Sequence, residues 1–309
     1  YRRQRQMCIR DRTIDTNAVP AGKLVRCWLP YPRTDQARQR DVKFISASEP
    51  DYVLSPQECR HSTLYMEKRA VQGEPTVFSE TFEYTSCGEW HNLRAEDVLP
   101  YDTTTALYKE YTAEREKHIV FSPRLRELAA KLTAGETNPY LKAKRIFRWI
   151  NDHFPWASAR EYSTIENIPE YVLDNHHGDC GQVSLLFITL CRISGIPAHF
   201  QSGFMMHPRA WNLHDWAEVY FEGVGWVPVD QSFGIPAFAR NADEEYFFLG
   251  GIDSWRMIVN TDYGMPLVPE KKYPRSETVD FQRGEVEWEG GNLYFPQWSY
   301  HMDIDYLNY

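Results

Sequence analysis

No apolar run in this sequence approaches the ~20 residues that a helix needs to cross a bilayer. No secretory signal is visible, and the chain does not begin with Met. No C-x-x-C pair occurs: the six cysteines, Cys8, Cys27, Cys59, Cys87, Cys180 and Cys191, are widely scattered. That spacing excludes a zinc ribbon and a disulfide-built miniature scaffold. Positive charge is scarce, with 34 Lys and Arg against 43 Asp and Glu, a net charge of −9 and a pI of about 5.6. A nucleic-acid binder shows the opposite bias, so DNA and RNA are set aside as partners. There is no internal repeat and no low-complexity tract.

What is present is an ordinary globular composition, 42% hydrophobic and 25% charged, over 309 residues. A chain of this length suggests about two domains and can bury a full core without external staples. Aromatics reach 15%, with 10 Trp and 19 Tyr, which favours broad strands over helical bundles. The first twelve residues, YRRQRQMCIRDR, show no periodicity and resemble translated adapter sequence. They are read as a non-native segment outside the fold, with the true start, and any signal peptide, missing.

Residues 13–115 form the expected N-terminal β domain with its linker. Stretches 23–29 and 77–84 read as strands, the second alternating as VFSETFEY, and Pro30 and Pro32 end the first. Cys27, Cys59 and Cys87 fall in this region, either as one bridge or as buried free thiols. Helical character begins near residue 103. Stretches 104–111, 122–132 and 139–154 read as helices, Ser122 as an N-cap with Pro123 at the first helical position. A further helix starts at Cys180 and stops before Gly195 and Pro197. Strands follow at 198–204, 214–221 and 226–230, the last two flanking the hairpin loop Glu222-Gly223-Val224-Gly225. Helices followed by a sheet, without βαβ repetition, indicate an α+β fold. Residues 116–265 are the expected core. Residues 266–309 read as a β extension packed on it, with a closing hairpin around Gly290-Gly291.

The segment His176-His177-Gly178-Asp179-Cys180-Gly181-Gln182 carries the chemistry. It sets a Cys in the first turn of a helix, where backbone N–H groups and the dipole favour a thiolate. Gly178 and Gly181 leave space beside the sulfur for a substrate carbonyl, and the Cys180 N–H can help bind an oxyanion. Asp179 caps the helix. His214 opens one strand of the hairpin and Asp230 closes the next, one to three residues from direct opposition, within reach of a diagonal pair. A carboxylate on one imidazole nitrogen leaves the other for the thiol. Asp215 alternates to the opposite face of the strand, so Asp230 is preferred as the partner of His214.

The stretches GDCGQVSLLFITLCRISGIPAHFQSGF and LHDWAEVYFEGVGWVPVDQSFG resemble the transglutaminase-like core. The resemblance rests on Gly178 and Cys180, Gly195 to Ala198, His214 with Trp216, Glu218 and Val219, Gly225-Trp226, and Asp230, in the family's order. Where the family often has Asp-Pro-Thr, this chain has Asp230-Gln231-Ser232. The resemblance is to bacterial transglutaminase-like cysteine peptidases more than to animal cross-linking enzymes. It implies a papain-like core, helices on an antiparallel sheet after a β-sandwich-like domain. It also implies a Cys180-His214-Asp230 triad, thiol-dependent amide chemistry on a peptide or protein substrate, and an extracytoplasmic address, periplasmic or secreted.

Blander readings stand beside this one. A lone Cys on a helix is ordinarily a small buried apolar residue, and Asp230 can simply end a strand. His176 and His177, with His207 or His214, could suggest zinc, but no second Cys stands at ligand spacing, so neither metal nor cofactor is expected. Cys191, about three helical turns beyond Cys180, is read as core. Trp156, Tyr162, His177, Gln182, Gln201, Trp211 and Trp216 are cleft candidates, with Gln182 and Trp156 as candidate oxyanion donors. The expected reaction is peptide amide hydrolysis. The alternatives are protein-glutamine transamidation and a catalytically silent peptide- or glycan-binding module.

Overall fold

The computed structural model describes residues 3–158 and 160–307, and the chain divides into two compact units. The described residues of the first are 3–88, 202–213 and 254–307; Tyr1, Arg2, Asn308 and Tyr309 lie outside the described residues. It begins with β1 (Arg3–Ile14), β2 (Leu24–Pro30), β3 (Gln39–Ala47), β4 (Tyr52–Leu54), β5 (Thr63–Arg69) and β6 (Thr76–Cys87). The second unit, residues 89–201 and 214–253, contains β7 (Glu89–Trp90), α1 (Ala106–Tyr111), α2 (Pro123–Leu132), α3 (Pro139–His153), α4 (Ile168–Asn175) and α5 (Cys180–Ile193). It continues through β8 (Ala198–Met205), β9 (Asn212–Phe221), β10 (Gly225–Val229), α6 (Ala242–Glu245) and β11 (Gly251–Ile252). The ends of β8 and β9 that face their connecting loop belong to the first unit. That unit closes with β12 (Arg256–Asn260), β13 (Glu285–Trp288), β14 (Gly291–Leu293) and β15 (Trp298–Tyr306). Helices and antiparallel sheets in this arrangement make an α+β fold.

In the first unit two sheets, ordered β15-β1-β6-β3 and β14-β13-β2-β5-β4, share one hydrophobic core. Trp28, Leu64 and Met66 come from one sheet, and Ile14, Phe78, Phe82 and Met302 from the other. This is the β-sandwich that alternation in VFSETFEY anticipates, since residues of period two bury one face and expose the other.

The structure corrects two expectations. Residues 1–12 are expected outside the fold, yet Arg3–Ile14 pairs along its length with β6, and Gln6–Ile14 with β15. The period is hidden in the sequence because the inward positions include Arg10 and Arg12, both fully buried. The Arg12 guanidinium lies 3.7 Å from the centroid of the Trp298 ring, and that of Arg10 lies 4.7 Å from Phe204. Backbone pairing of this kind is indifferent to side-chain identity, so it reports where the segment lies and not its origin. The C-terminal extension is expected on the α+β core; β13 instead pairs with β2 and β15 with β1, inside the first unit. The hairpin at Gly290 is present, but its second arm is only β14.

A set of buried carboxylates holds the loops of this extension. Glu285 accepts from the backbone N–H groups of Ser276 and Glu277, and Glu287 from those of Lys272 and Tyr273. Lys271 and Arg275 supply the balancing charge. All six cysteines are free thiols.

In the second unit α2, α3 and α4 pack on α5, whose residues from Gly181 to Arg192 are all buried. Local sequence explains the helix starts. Ser122, Asn138 and Asn167 each accept from an N–H in the first turn and are each followed within two residues by Pro. Helix α4 is hidden in the sequence, because Pro169 and a length of eight residues mask its period. It ends at His176 in the left-handed conformation, φ 57°, which turns the chain toward Cys180. Beside α5 run β8, β9 and β10, in the order β10-β9-β8, and β12 adds to the outer half of β8. Among the described residues no helix is long and apolar enough to cross a membrane.

Buried His118 accepts at Nδ1 from the N–H of Ile168, the first residue of α4, at 3.3 Å. Burial, with Lys117 and Arg115 nearby, pushes its pKa down from 6.5 to about 4. The unfolded chain therefore takes up a proton below pH 6.5 that the folded chain refuses until about pH 4. Stability from this group is complete above 6.5 and is lost as the pH falls to 4, to the extent of about 3 kcal/mol. Chemical denaturation from pH 7 to 4 should show a smaller acid loss for His118→Gln than for wild type; parallel curves would contradict this.

Candidate active site

The site lies within the second unit, where the start of α5 meets β9 at Asp215. In that hairpin Gly225 pairs with Phe221 and Val229 with Ala217. The next residue, Asp230, is then level with Trp216, two positions from His214. A diagonal pair of this kind has Cβ atoms about 7 Å apart, a gap that an imidazole and a carboxylate together close. His214 Nε2 and Asp230 Oδ2 are 2.7 Å apart.

Both groups are withdrawn from solvent, His214 at 6% exposure and Asp230 at 0%. The aspartate is held from three sides. The Asp230 N–H donates to the Phe248 carbonyl, and Oδ1 accepts from the Ser232 hydroxyl and the Phe233 N–H. Ser232 thus serves the carboxylate at the point where the sequence departs from Asp-Pro-Thr. The imidazole lies near Trp216, ring centroids 6.0 Å apart, with Phe233 edge-on at 5.4 Å. The Trp216 indole N–H donates to Gln201 Oε1, and Gln201 Nε2 donates to Glu218. Trp216, expected in the cleft, is instead fully buried and supports His214 from behind. Gln201 is likewise buried, in the same chain of bonds.

Cys180 is the first residue of α5, and Asp179 is its N-cap. Asp179 Oδ1 accepts from the Gln182 N–H while Gln182 Oε1 accepts from the Asp179 N–H, a reciprocal capping box. Gln182, a candidate oxyanion donor by sequence, is fully buried; its carbonyl is committed to the cap, and its Nε2 has no hydrogen-bond partner among the described residues. Trp156 is 61% exposed and lies beside Gly178, where a short parallel bridge crosses just before the Cys. His177 bonds through Nδ1 to the Asn175 carbonyl, on the rim. Trp211 belongs to the first unit and packs against the core there.

The surroundings of the sulfur differ most from the sequence reading. Cys180 Sγ donates to Asp215 Oδ2 at 3.5 Å, although alternation assigns Asp215 to the opposite strand face and gives it no part at the thiol. Alternation along β9 does not show what packs against Asp215, and the start of α5 does. Tyr162, on a short 3₁₀ turn, completes the cluster. Its hydroxyl lies 2.6 Å from Asp179 Oδ1 and 3.4 Å from Asp215 Oδ2, and accepts from the Gly181 N–H. The room expected beside Gly181 is therefore filled by these two side chains. An added Cβ there would stand 2.4 Å from the Tyr162 oxygen and 2.6 Å from Asp215 Oδ2.

Electrostatics follow from that packing. Burial raises the Cys180 thiol well above its ordinary value, and the Asp215 and Asp179 carboxylates add to the rise. The helix start alone would favour a thiolate. Its half-charge is outweighed by desolvation and two full negative charges. Burial likewise raises the Asp179 carboxyl, with hydrogen bonds from Tyr162 and the Gln182 N–H acting against it. Among the described residues no group of three or more His, Cys, Asp or Glu could hold a metal ion.

Replacement of Gly181 by Ala should destabilise the protein by about 1–3 kcal/mol, because two buried side chains must yield to the new methyl group. Urea denaturation measures it, and an unchanged midpoint would place Tyr162 elsewhere than over the helix start.

Residues 126–231 match the family model described as the transglutaminase-like superfamily. The uncharacterized protein YebA of Bacillus subtilis strain 168 is 26% identical over 140 residues, covering 39% of this chain and 19% of that protein. An uncharacterized Haemophilus influenzae protein is 23% identical over 250 residues, covering 69% of this chain and 66% of that one. The chain thus spans less than two thirds of either relative's length. Among solved structures, one from Cytophaga hutchinsonii described as "a Putative Cysteine Protease" superposes with a TM-score of 0.59 at 16% identity. That likeness covers 100% of this chain and 92% of the other, and bears on the fold. The stretch that matches the transglutaminase-like superfamily model, residues 126–231, spans the helix that opens at Cys180 and the hairpin that joins His214 to Asp230.

Proposed function

We propose that this core performs thiol-dependent acyl transfer on amides, with Cys180 as nucleophile, His214 as acid and base, and Asp230 as the residue that orients the imidazole. The reaction it serves is hydrolysis of a peptide or peptide-like amide. The observation that carries this reading is the buried 2.7 Å bond between His214 Nε2 and Asp230 Oδ2, on adjacent strands beside a helix that starts at a cysteine. A buried carboxylate on Nε2 holds the proton there and stabilises the imidazolium once it forms. Nδ1 is then the nitrogen that exchanges protons with the substrate side.

The cycle in this reading has two halves. Sγ attacks the amide carbonyl as its proton passes to His214 Nδ1. The tetrahedral intermediate collapses, the C–N bond breaks, and Nδ1 returns the proton to the leaving amine, which leaves a thioester on Cys180. Water, deprotonated by the same imidazole, then attacks the thioester and restores the thiol. The Cys180 N–H is a first-turn donor with no bond partner among the described residues, and it supplies one contact to the oxyanion. Burial of the imidazole–carboxylate pair excludes water, which strengthens its field at the moment charge develops.

The test is trapping of a Cys180 thioester with chromogenic amide and peptide-library substrates. Wild type should form it. Cys180→Ala should not, and His214→Ala or Asp230→Ala should slow acylation on the order of 10³-fold or more. Equal acylation in Cys180→Ala would remove the nucleophile assignment. Release of free acid against release of an amide when a primary amine is added separates hydrolysis from transamidation.

A further inference from the structure

The residue beside the sulfur is not the one that the triad logic supplies. Sγ of Cys180 bonds to Asp215 Oδ2 at 3.5 Å, and Asp215 is 1% exposed. A carboxylate so close to a thiol accepts the S–H proton and turns the sulfur toward β9. The same oxygen lies 3.4 Å from the Tyr162 hydroxyl, whose own proton goes to the nearer Asp179 at 2.6 Å. The S–H of Cys180 is directed at Asp215 Oδ2.

Resting on the reading of Cys180 as the nucleophile, we propose that Asp215 is a positioning residue that holds the resting sulfur as a protonated thiol, fixed toward β9, and so sets the pH at which the site becomes reactive.

The charged and titratable groups that face the sulfur support this direction. From β9 comes the Asp215 carboxylate, and from the N-cap of α5 the Asp179 carboxylate; both oppose a thiolate. Asp230, from the end of β10, acts the same way with less weight, and it is bonded to His214. The Tyr162 hydroxyl comes from the 3₁₀ turn and bonds to Asp179. The Asp215 backbone N–H also faces the sulfur and acts in the other sense. Removing the Asp215 carboxylate keeps that N–H and deletes the nearest negative charge. The thiol should then ionise more readily.

A purely structural Asp215 makes a different forecast. It would cost stability when replaced, with no systematic change in how the Cys180 thiol titrates. The two are separated by a readout that needs no substrate: the rate of Cys180 alkylation by iodoacetamide against pH. Labelling is read by mass spectrometry on the peptide containing Cys180, so that the five other thiols do not contribute. For Asp215→Asn the profile should move down by about one pH unit or more, with a tenfold or greater rise in rate at neutral pH. Asp215→Ala, which removes the group without adding a donor, should move in the same direction and covers the case in which the Asn variant fails to fold. Profiles that coincide with wild type in a folded variant, or that move upward, would overturn the proposal. Because no turnover is involved, this outcome is independent of thioester trapping. A failure of the nucleophile assignment appears there, and a failure of the Asp215 assignment appears here.

Discussion

The candidate site depends on the register of one hairpin. The β9–β10 pairing sets Asp230 two residues from direct opposition to His214, on the face that carries Trp216. Side chains on a strand alternate faces, so a slip of one residue would send either group to the other side of the sheet. The turn that fixes this register contains Gly223 and Gly225 at φ 88° and 104°, in a region that other residues adopt only with strain. Around the pair, the neighbouring backbone and side chains leave little freedom. Phe248 and Phe233 bind the Asp230 backbone and carboxylate, and Trp216, itself bonded to Gln201, supports the imidazole ring. A buried carboxylate and imidazole are costly alone; paired at 2.7 Å and hydrogen-bonded at the remaining oxygen, they form a stable dipole within the fold.

The start of α5 is organised by carboxylates as well. Asp179 closes a capping box, Tyr162 bridges toward Asp215, and Asp215 receives the thiol. The nucleophile candidate therefore rests in a negative environment, although a helix N-terminus on its own favours an anion. Burial and these carboxylates together favour the neutral thiol over the thiolate. Buried acids recur in the first unit in a structural role, where Glu285 and Glu287 bind loop N–H groups and are balanced by Lys271 and Arg275. Those carboxylates hold loops, whereas Asp179 and Asp215 stand beside the thiol, Asp179 capping its helix and Asp215 accepting from the sulfur.

Much of this was legible in the sequence because it rests on local rules. Helix caps at Ser122 and Asp179, the stop at Gly195, and the hairpin at Gly223 follow from residue chemistry within a few positions. The two-residue offset of His214 and Asp230 falls within the range that counting from the turn allowed. What was not legible depends on packing between distant elements. Asp215 is set aside by strand alternation, which says which face a side chain takes but not what lies against that face. Gln182 and Trp216 have the polar and aromatic character of cleft residues, and only burial shows that one caps a helix and the other supports a ring. Arg10 and Arg12 conceal the strand period of β1, since an arginine facing a core breaks the simple pattern of apolar residues inside. The destination of β13 and β15, next to β2 and β1, depends on strand pairing across most of the chain.

That Asp230 fixes the tautomer and orientation of His214 is tested most directly by nuclear magnetic resonance of the isotopically labelled imidazole. Neutral His214 should carry its proton on Nε2, with a downfield, slowly exchanging Nε2–H signal that disappears in Asp230→Ala. A proton found on Nδ1, or an Nε2–H in rapid exchange with solvent in the wild-type protein, would contradict it.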